Sequence, residues 1–297
     1  MGISPRTLQL AYTGHEQITI YNIIKKMDFL IVIPILAGWI SGWVVNYLAD
    51  VLPVTRQFSH PACPKCGQNF PIAVYLAFRP CPNCHQRRPA RVWFVQVIML
   101  IANIYIWFKS PFGIFHFHPP YRLEYILGTI LLTYFAMVFV IDFEHRLILH
   151  PTSIFGALLG LGLGLWINGI IPTLIGGLAG IVIMLVFYYF GVLFSRLRAR
   201  RMQTAGQDAD DEEALGFGDV ILAGVLGLIL GPFIWIGLLL GILLGGLAGV
   251  LMVFYLMIAK RYKTQALMVF MPYGPFFITS AFLILFIPTW IAPFIPK

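Results

Sequence analysis

Two aspartates stand at the edges of long apolar runs, and all four cysteines fall into two Cys-x-x-Cys pairs. Asp142 closes the run 133–141; Asp219 follows Gly216-Phe217-Gly218 and opens another run. A carboxylate at membrane depth is costly, so its presence there is a hypothesis of function. Two carboxylates that meet across a helix bundle can share one proton and activate water, which is the chemistry of an aspartic protease. Cys63-Pro-Lys-Cys66 and Cys81-Pro-Asn-Cys84 predict a different chemistry. Each pair makes a turn that aims two thiolates at one ion, and two turns complete the tetrahedron of a zinc site. Four protein ligands leave no open position, so this zinc is expected to be structural. His85 is a spare ligand that the fourth cysteine makes unnecessary.

Each signal has a plainer alternative. Glycines before an apolar helix are common, and Asp is a favoured helix N-cap. Asp142 would be an ordinary interface residue if it paired with Arg146. The glycines also have a chemical use, since without side chains at Gly216 and Gly218 a substrate backbone can lie beside the carboxylate. The cysteines would be redox or free-thiol sites, but their loop is expected in the cytoplasm, where disulfides are rare.

The elements that position these residues are membrane helices. The chain is 59% hydrophobic and 11% charged, with a mean hydropathy of +0.85. A soluble chain would carry roughly twice that charged fraction. The fold class is therefore an all-α polytopic membrane protein, with the lipid bilayer as its first partner. Eight candidate spans are expected, roughly 29–48, 92–109, 123–142, 151–168, 171–194, 219–235, 237–259 and 267–292. The sixth and seventh read as a hairpin. Residues 1–28 form an N-terminal tail without the apolar core of a signal peptide. They read as a periplasmic tail or as a start placed too early, ahead of Met27. Residues 49–91 form the cysteine-bearing loop, and 92–297 form the remaining core, with a charged loop at 195–218.

The net charge of +8 is not a nucleic-acid signal here, and no nucleic-acid partner is expected, because basic residues collect in cytoplasmic loops. If the loops 49–91, 143–150, 195–218 and 260–266 share one side, they hold all but six of the 20 basic residues. The six are Arg6, Lys25, Lys26, Lys109, Arg122 and Lys297. The bias makes those loops cytoplasmic and puts both termini outside. Asp142 then ends an inward span and Asp219 starts an outward one, so both fall at the cytoplasmic edge.

Glycines at 237, 241, 245 and 249, and at 176 and 180, form smooth stripes that predict close helix packing. His116 and His118 carry no metal signal. Phosphate-cradling, His-Glu-x-x-His and Gly-x-Ser-x-Gly motifs are absent.

From about residue 27 onward the chain resembles the type IV prepilin peptidases, a branch of the GxGD intramembrane aspartyl proteases. The resemblance rests on Gly42-Trp43-Val44-Val45-Asn46 through Leu52-Pro53, the paired cysteines, Ile141-Asp142-Phe143-Glu144-His145-Arg146, Leu215-Gly216-Phe217-Gly218-Asp219, and Pro272-Tyr273-Gly274-Pro275-Phe276. It implies a multi-pass enzyme of the bacterial inner membrane with its active site at the cytoplasmic face. Such an enzyme cuts the basic leader of prepilins or pseudopilins at a Gly–Phe junction, with Asp142 and Asp219 as catalytic residues. Many members also methylate the new amino terminus with S-adenosylmethionine. Gln96 stands where Glu is common, Leu149-His150 where Pro-Asp is common, and Val51 where Arg is common. Gln96 removes a carboxylate near the cysteine loop, so methyl transfer is an expectation separate from the peptidase. The rival readings are a proton- or ion-coupled transporter using the same aspartates and a non-catalytic assembly factor. The specific substrate and the oligomeric state are not set by the residues.

Overall fold

The structure is a computed structural model that describes residues 31–109, 121–204, 216–259 and 272–287. Among these, helices dominate, and the sole strand-like feature is an isolated bridge between Ala62 and Asn69. The long helices are α1 (Val32–Thr55), α3 (Ala90–Phe108), α4 (Tyr121–His145), α5 (His150–Ile167), α6 (Ile170–Thr204), α7 (Phe217–Leu230), α8 (Ile234–Ile258) and α9 (Gly274–Phe286). A five-residue helix α2 (Ile72–Leu76) lies in the cysteine loop. The expected tail 1–28, the histidines 116 and 118 and the loop 260–266 lie outside the described residues.

Among the described residues, six segments are long and apolar enough to cross a membrane, as in a multi-pass membrane protein. Five correspond to α1, α3, α4, α5 and the apolar part of α6, which ends at Leu193. The sixth is one apolar stretch, Phe217–Ile258. Its helix is interrupted at Gly231–Phe233, where Gly231 takes a left-handed φ of 55° and Pro232 follows. Of the last expected span, 267–271 and 288–292 lie outside the described residues, and the described part holds the shorter helix α9, whose 13 residues reach only about 20 Å at 1.5 Å per residue. α6 also runs on to Thr204, through the basic beginning of the charged stretch expected as a loop.

The outward faces carry large exposed apolar side chains such as Leu158, Leu178 and Val186. Such a surface suits lipid and not water. The best-protected helix is α7. Ten of its 14 residues are buried, on all sides, as expected for a helix surrounded by others. It is packed by α6, α5 and α9. Glycine makes the α6–α7 crossing possible. A Cβ on Gly176 would lie 2.5 Å from the carbonyl oxygens of Gly227 and Gly231, so the two backbones touch directly. Gly176→Ala should destabilise the detergent-solubilised protein by about 1–3 kcal/mol, as overpacking does, read as a lower melting temperature. The α8 stripe works differently. Gly241 and Gly245 accept the rings of Phe277 and of Tyr273 and Phe276 from the start of α9, whereas Gly249 faces open space.

α1 and α3 are tied by buried amides. Asn46 Nδ2 donates to the Val92 carbonyl (3.2 Å) and Gln96 Nε2 to the Trp39 carbonyl (2.8 Å). Gly42 makes room for the Gln96 amide. An ionised Glu at 96 could not donate that bond, so the amide is a physical fit to this helix pair.

Candidate active site and cysteine lobe

Four chain segments meet at one end of the bundle. α4 ends there with Asp142 and α7 begins there with Asp219. α9 begins there with Gly274, and the cysteine lobe sits between α1 and α3. Asp142 is 4% exposed and Asp219 8%. Asp142 lies close enough to Asp219 for its charge to act there. Neither has an ion pair among the described residues, where the salt bridges all involve Asp50 or Glu144. In particular, Arg146 does not neutralise Asp142. Its left-handed backbone (φ 53°) instead caps α4, with its N–H on the Asp142 carbonyl at 2.9 Å.

Each carboxylate faces the start of a helix. The Asp219 backbone N–H donates to the Gly216 carbonyl at 3.0 Å, and the Gly216 N–H faces the Asp219 carboxylate. Asp142 faces the N–H of Gly274, yet no hydrogen bond of ordinary geometry reaches its Oδ2. A Cβ on Gly274 would run into that same oxygen. Gly274→Ala should therefore push the Asp142 carboxylate aside. If that group does chemistry, activity should fall by about 10²-fold, as a misplacement of about 1 Å does, while the protein still folds. Retained activity in that variant would show that Asp142 tolerates displacement.

The two glycines of the Gly-Phe-Gly-Asp run differ. Gly216 is open, with nothing nearer to a Cβ than about 4 Å. Gly218 is not, because its Cβ would lie 2.9 Å from Cβ of Ile148 in the α4–α5 connection. Packing between α7 and that connection is thus one reason for glycine at 218. Phe217 points outward and meets Tyr188 of α6 edge-on at 6.0 Å.

Beside this end, α3, α4 and α9 enclose an apolar groove of about 420 Å³. Phe139, Val140 and Phe143 of α4 line it, and Arg91 and Glu144 stand at its polar end. Asp142 itself does not line it.

In the cysteine lobe all four sulfurs lie within 4.8 Å of one another. Cys63 Sγ is 3.5 Å from Cys84 Sγ, and Cys66 Sγ is 3.7 Å from Cys81 Sγ. A tetrahedron with Zn–S bonds of about 2.3 Å has edges of about 3.8 Å, so the four donors fit a zinc ion. The loops are near copies. Cys63 N–H bonds the Gln68 carbonyl and Gly67 N–H the Cys63 carbonyl; Cys81 N–H bonds the Gln86 carbonyl and His85 N–H the Cys81 carbonyl. His85 occupies the left-handed position (φ 53°) that Gly67 holds in the other loop (φ 70°), and it is not part of the ligand cluster. The backbone N–H of Cys66 helps hold the Cys63 thiol down to about 6, against burial. The Cys84 N–H lowers Cys81 likewise. For Cys84 the Gln86 N–H pulls downward, but burial and the neighbouring thiols push it up to about 12. Four thiolates this close would need a cation among them, and a metal ion held by the four sulfurs would supply it.

The sequence did not announce the link from this lobe to α4. Tyr75 packs with Cys63, Cys81 and Phe70. Its hydroxyl donates to Asp50 Oδ2 at 2.6 Å, and burial raises its pKa, so it stays a neutral donor. The Arg88 guanidinium lies over the Tyr75 ring at 4.0 Å and bonds Asp50 at 3.1 Å. Arg91 bonds Asp50 with one nitrogen and Glu144 with the other, the latter at 2.7 Å. From sequence, Arg88 and Arg91 registered only as topological charges.

A helical membrane protein with a carboxylate pair at one end of its bundle and a four-thiol lobe beside it is the class that fold and site define. Residues 126–257, which contain both aspartates, match the type IV leader peptidase family. The similarity covers that segment, a little under half of the chain. No curated protein and no solved structure matches the chain.

Proposed function

We propose that the protein is a prepilin leader peptidase that cuts the basic leader of a type IV prepilin or pseudopilin at a Gly–Phe junction, using Asp142 and Asp219. The observation that carries this reading is the pair itself. Two carboxylates with no cationic partner among the described residues are buried together at one end of the bundle, inside the segment that matches the family. A shared proton lets both remain there. The ionised member takes a proton from water, whose oxygen attacks the scissile carbonyl. The protonated member donates to the carbonyl oxygen, and collapse of the adduct releases the leader acid and the new amine. The pair titrates as a unit, so the two roles belong to the dyad.

Gly216, open on its outer side, leaves room for the substrate backbone beside Asp219. Gly218 lets the α4–α5 connection close against α7. The apolar groove along α4 offers the substrate's apolar segment a path next to the pair. The four cysteines hold structural zinc, whose work is to fold the lobe. The basic-residue bias supports a cytoplasmic position for this end of the bundle, and the family resemblance supports a bacterial inner membrane. Methyl transfer from S-adenosylmethionine is a second activity that the same product can reveal. A transporter would carry its acidic groups at mid-helix, whereas Asp142 is the fourth residue from the end of α4 and Asp219 the third of α7.

The test is co-expression with a prepilin carrying a Gly–Phe junction, followed by intact mass of the pilin. Loss of the leader is the expected result, and an added methyl group would show the second activity. Uncut pilin across type IV, secretion and competence substrates would contradict the proposal.

A further inference from the structure

Arg91 sits at the second position of α3, directly after the cysteine lobe, and its fork spans two carboxylates on different helices. One is Asp50 of α1, which the lobe also grips through Tyr75 and Arg88. The other is Glu144 of α4, two residues beyond Asp142. We propose that Arg91 and Glu144 are positioning residues that hold the end of α4, and with it Asp142, in register with the cysteine lobe.

The local geometry favours this over a purely stabilising role. α4 ends just past Asp142, with its last carbonyl bond at the Arg146 cap, so backbone restraint fades where placement matters most. Glu144 is one-third exposed. An ion pair at such a site adds little to global stability, but a two-pronged guanidinium fixes direction as well as distance. Lysine carries the charge without the fork and can reach only one carboxylate at a time. The lobe therefore acts on the site at a distance, through Tyr75, Asp50, Arg91 and Glu144 in order. Loss of metal from the cysteines would loosen Tyr75 and propagate to Asp142 along the same route.

This inference rests on the catalytic reading of Asp142, so its test has an arm independent of cleavage. Arg91→Gln, Glu144→Gln, the double variant and Arg91→Lys would be compared with the wild type for prepilin cleavage and for hydrogen exchange over residues 139–149. Each single Gln variant should lose about tenfold in kcat with KM changed less than about twofold, the pattern of a displaced catalytic group. The double variant should be no worse than the poorer single one, because both cut the same link. Arg91→Lys should recover part of the loss. Exchange over 143–149 should rise in the Gln variants and in zinc-stripped wild type, and stripping Glu144→Gln should raise it little further. Zinc content and melting temperature of the variants should stay near wild type. Multiplying losses in the double variant, unchanged kcat or unchanged exchange would each overturn the proposal. Should the wild type cut no prepilin, the peptidase reading fails on its own, and exchange alone still decides whether the link holds α4.

Discussion

Asp219→Asn should yield a folded protein that does not cut prepilin, and Asp142→Asn should do the same. Asparagine matches aspartate in shape but cannot pass a proton, so either change removes the shared-proton chemistry. General acid–base groups contribute about 10²–10⁴-fold each, and groups acting as one unit fail together. The loss should therefore be at least about 10³-fold for either variant and hardly greater for both. The fold should survive. Asn caps helices as well as Asp does, and the bond from the residue 219 N–H to the Gly216 carbonyl belongs to the backbone. Both carboxylates are buried with no cation paired to them among the described residues, so removing a charge relieves a cost. Melting in detergent should show equal or higher stability. A variant that is inactive because it has unfolded would not count in favour of the dyad.

Removing the metal should have the second large effect, in a different place. Purified protein should hold about one zinc per chain, and strong chelation should open residues 60–90 to proteolysis while the bundle stays intact. The buried apolar core of the lobe is small, made of Cys63, Phe70, Tyr75 and Cys81, with Tyr47, Val74, Leu76 and Cys84 packed around it. A unit of about 30 residues cannot hold itself together on so little apolar burial and normally needs a metal or disulfides. Structural zinc sites contribute on the order of 10 kcal/mol of folding free energy, far more than the Arg88–Tyr75 contact or the Asp50 ion pairs. Replacing Cys63 and Cys81 by Ser should reproduce the chelated state. If chelated protein kept its resistance over 60–90, the lobe would be folded by something other than metal.

How much of this was legible in the sequence depends on the kind of signal. The cysteine site was read directly, because Cys-x-x-Cys spacing sets the geometry of a local turn. Helix identity was legible for α1, α3, α4, α5 and α6, where apolar runs of bilayer length leave little choice. The end of α7 was not: the sixth span was expected to run to 235, whereas the helix stops at Leu230 and breaks at Gly231–Phe233. The division of 217–292 into crossings was not legible, because hydropathy measures apolar length and α9 is too short by that measure. The aspartates stood out as charges among apolar residues. Their neighbours did not. Gly274 entered only as one residue of the Pro272–Phe276 segment of the resemblance, and only the fold brings its N–H to Asp142. Ile148 gave no hint that it fills the space left by Gly218. Arg91 and Glu144 are 53 residues apart, and pairing over that distance is a property of packing, not of local pattern.

The measurement closest to the central claim is intact mass of a Gly–Phe prepilin co-expressed with the wild type and, in parallel, with Asp142→Asn and Asp219→Asn, all at matched membrane levels. The expected result is mature pilin, lacking its leader, with the wild type alone and full-length prepilin with both variants. Mature pilin in the presence of either Asn variant would contradict the two-aspartate mechanism.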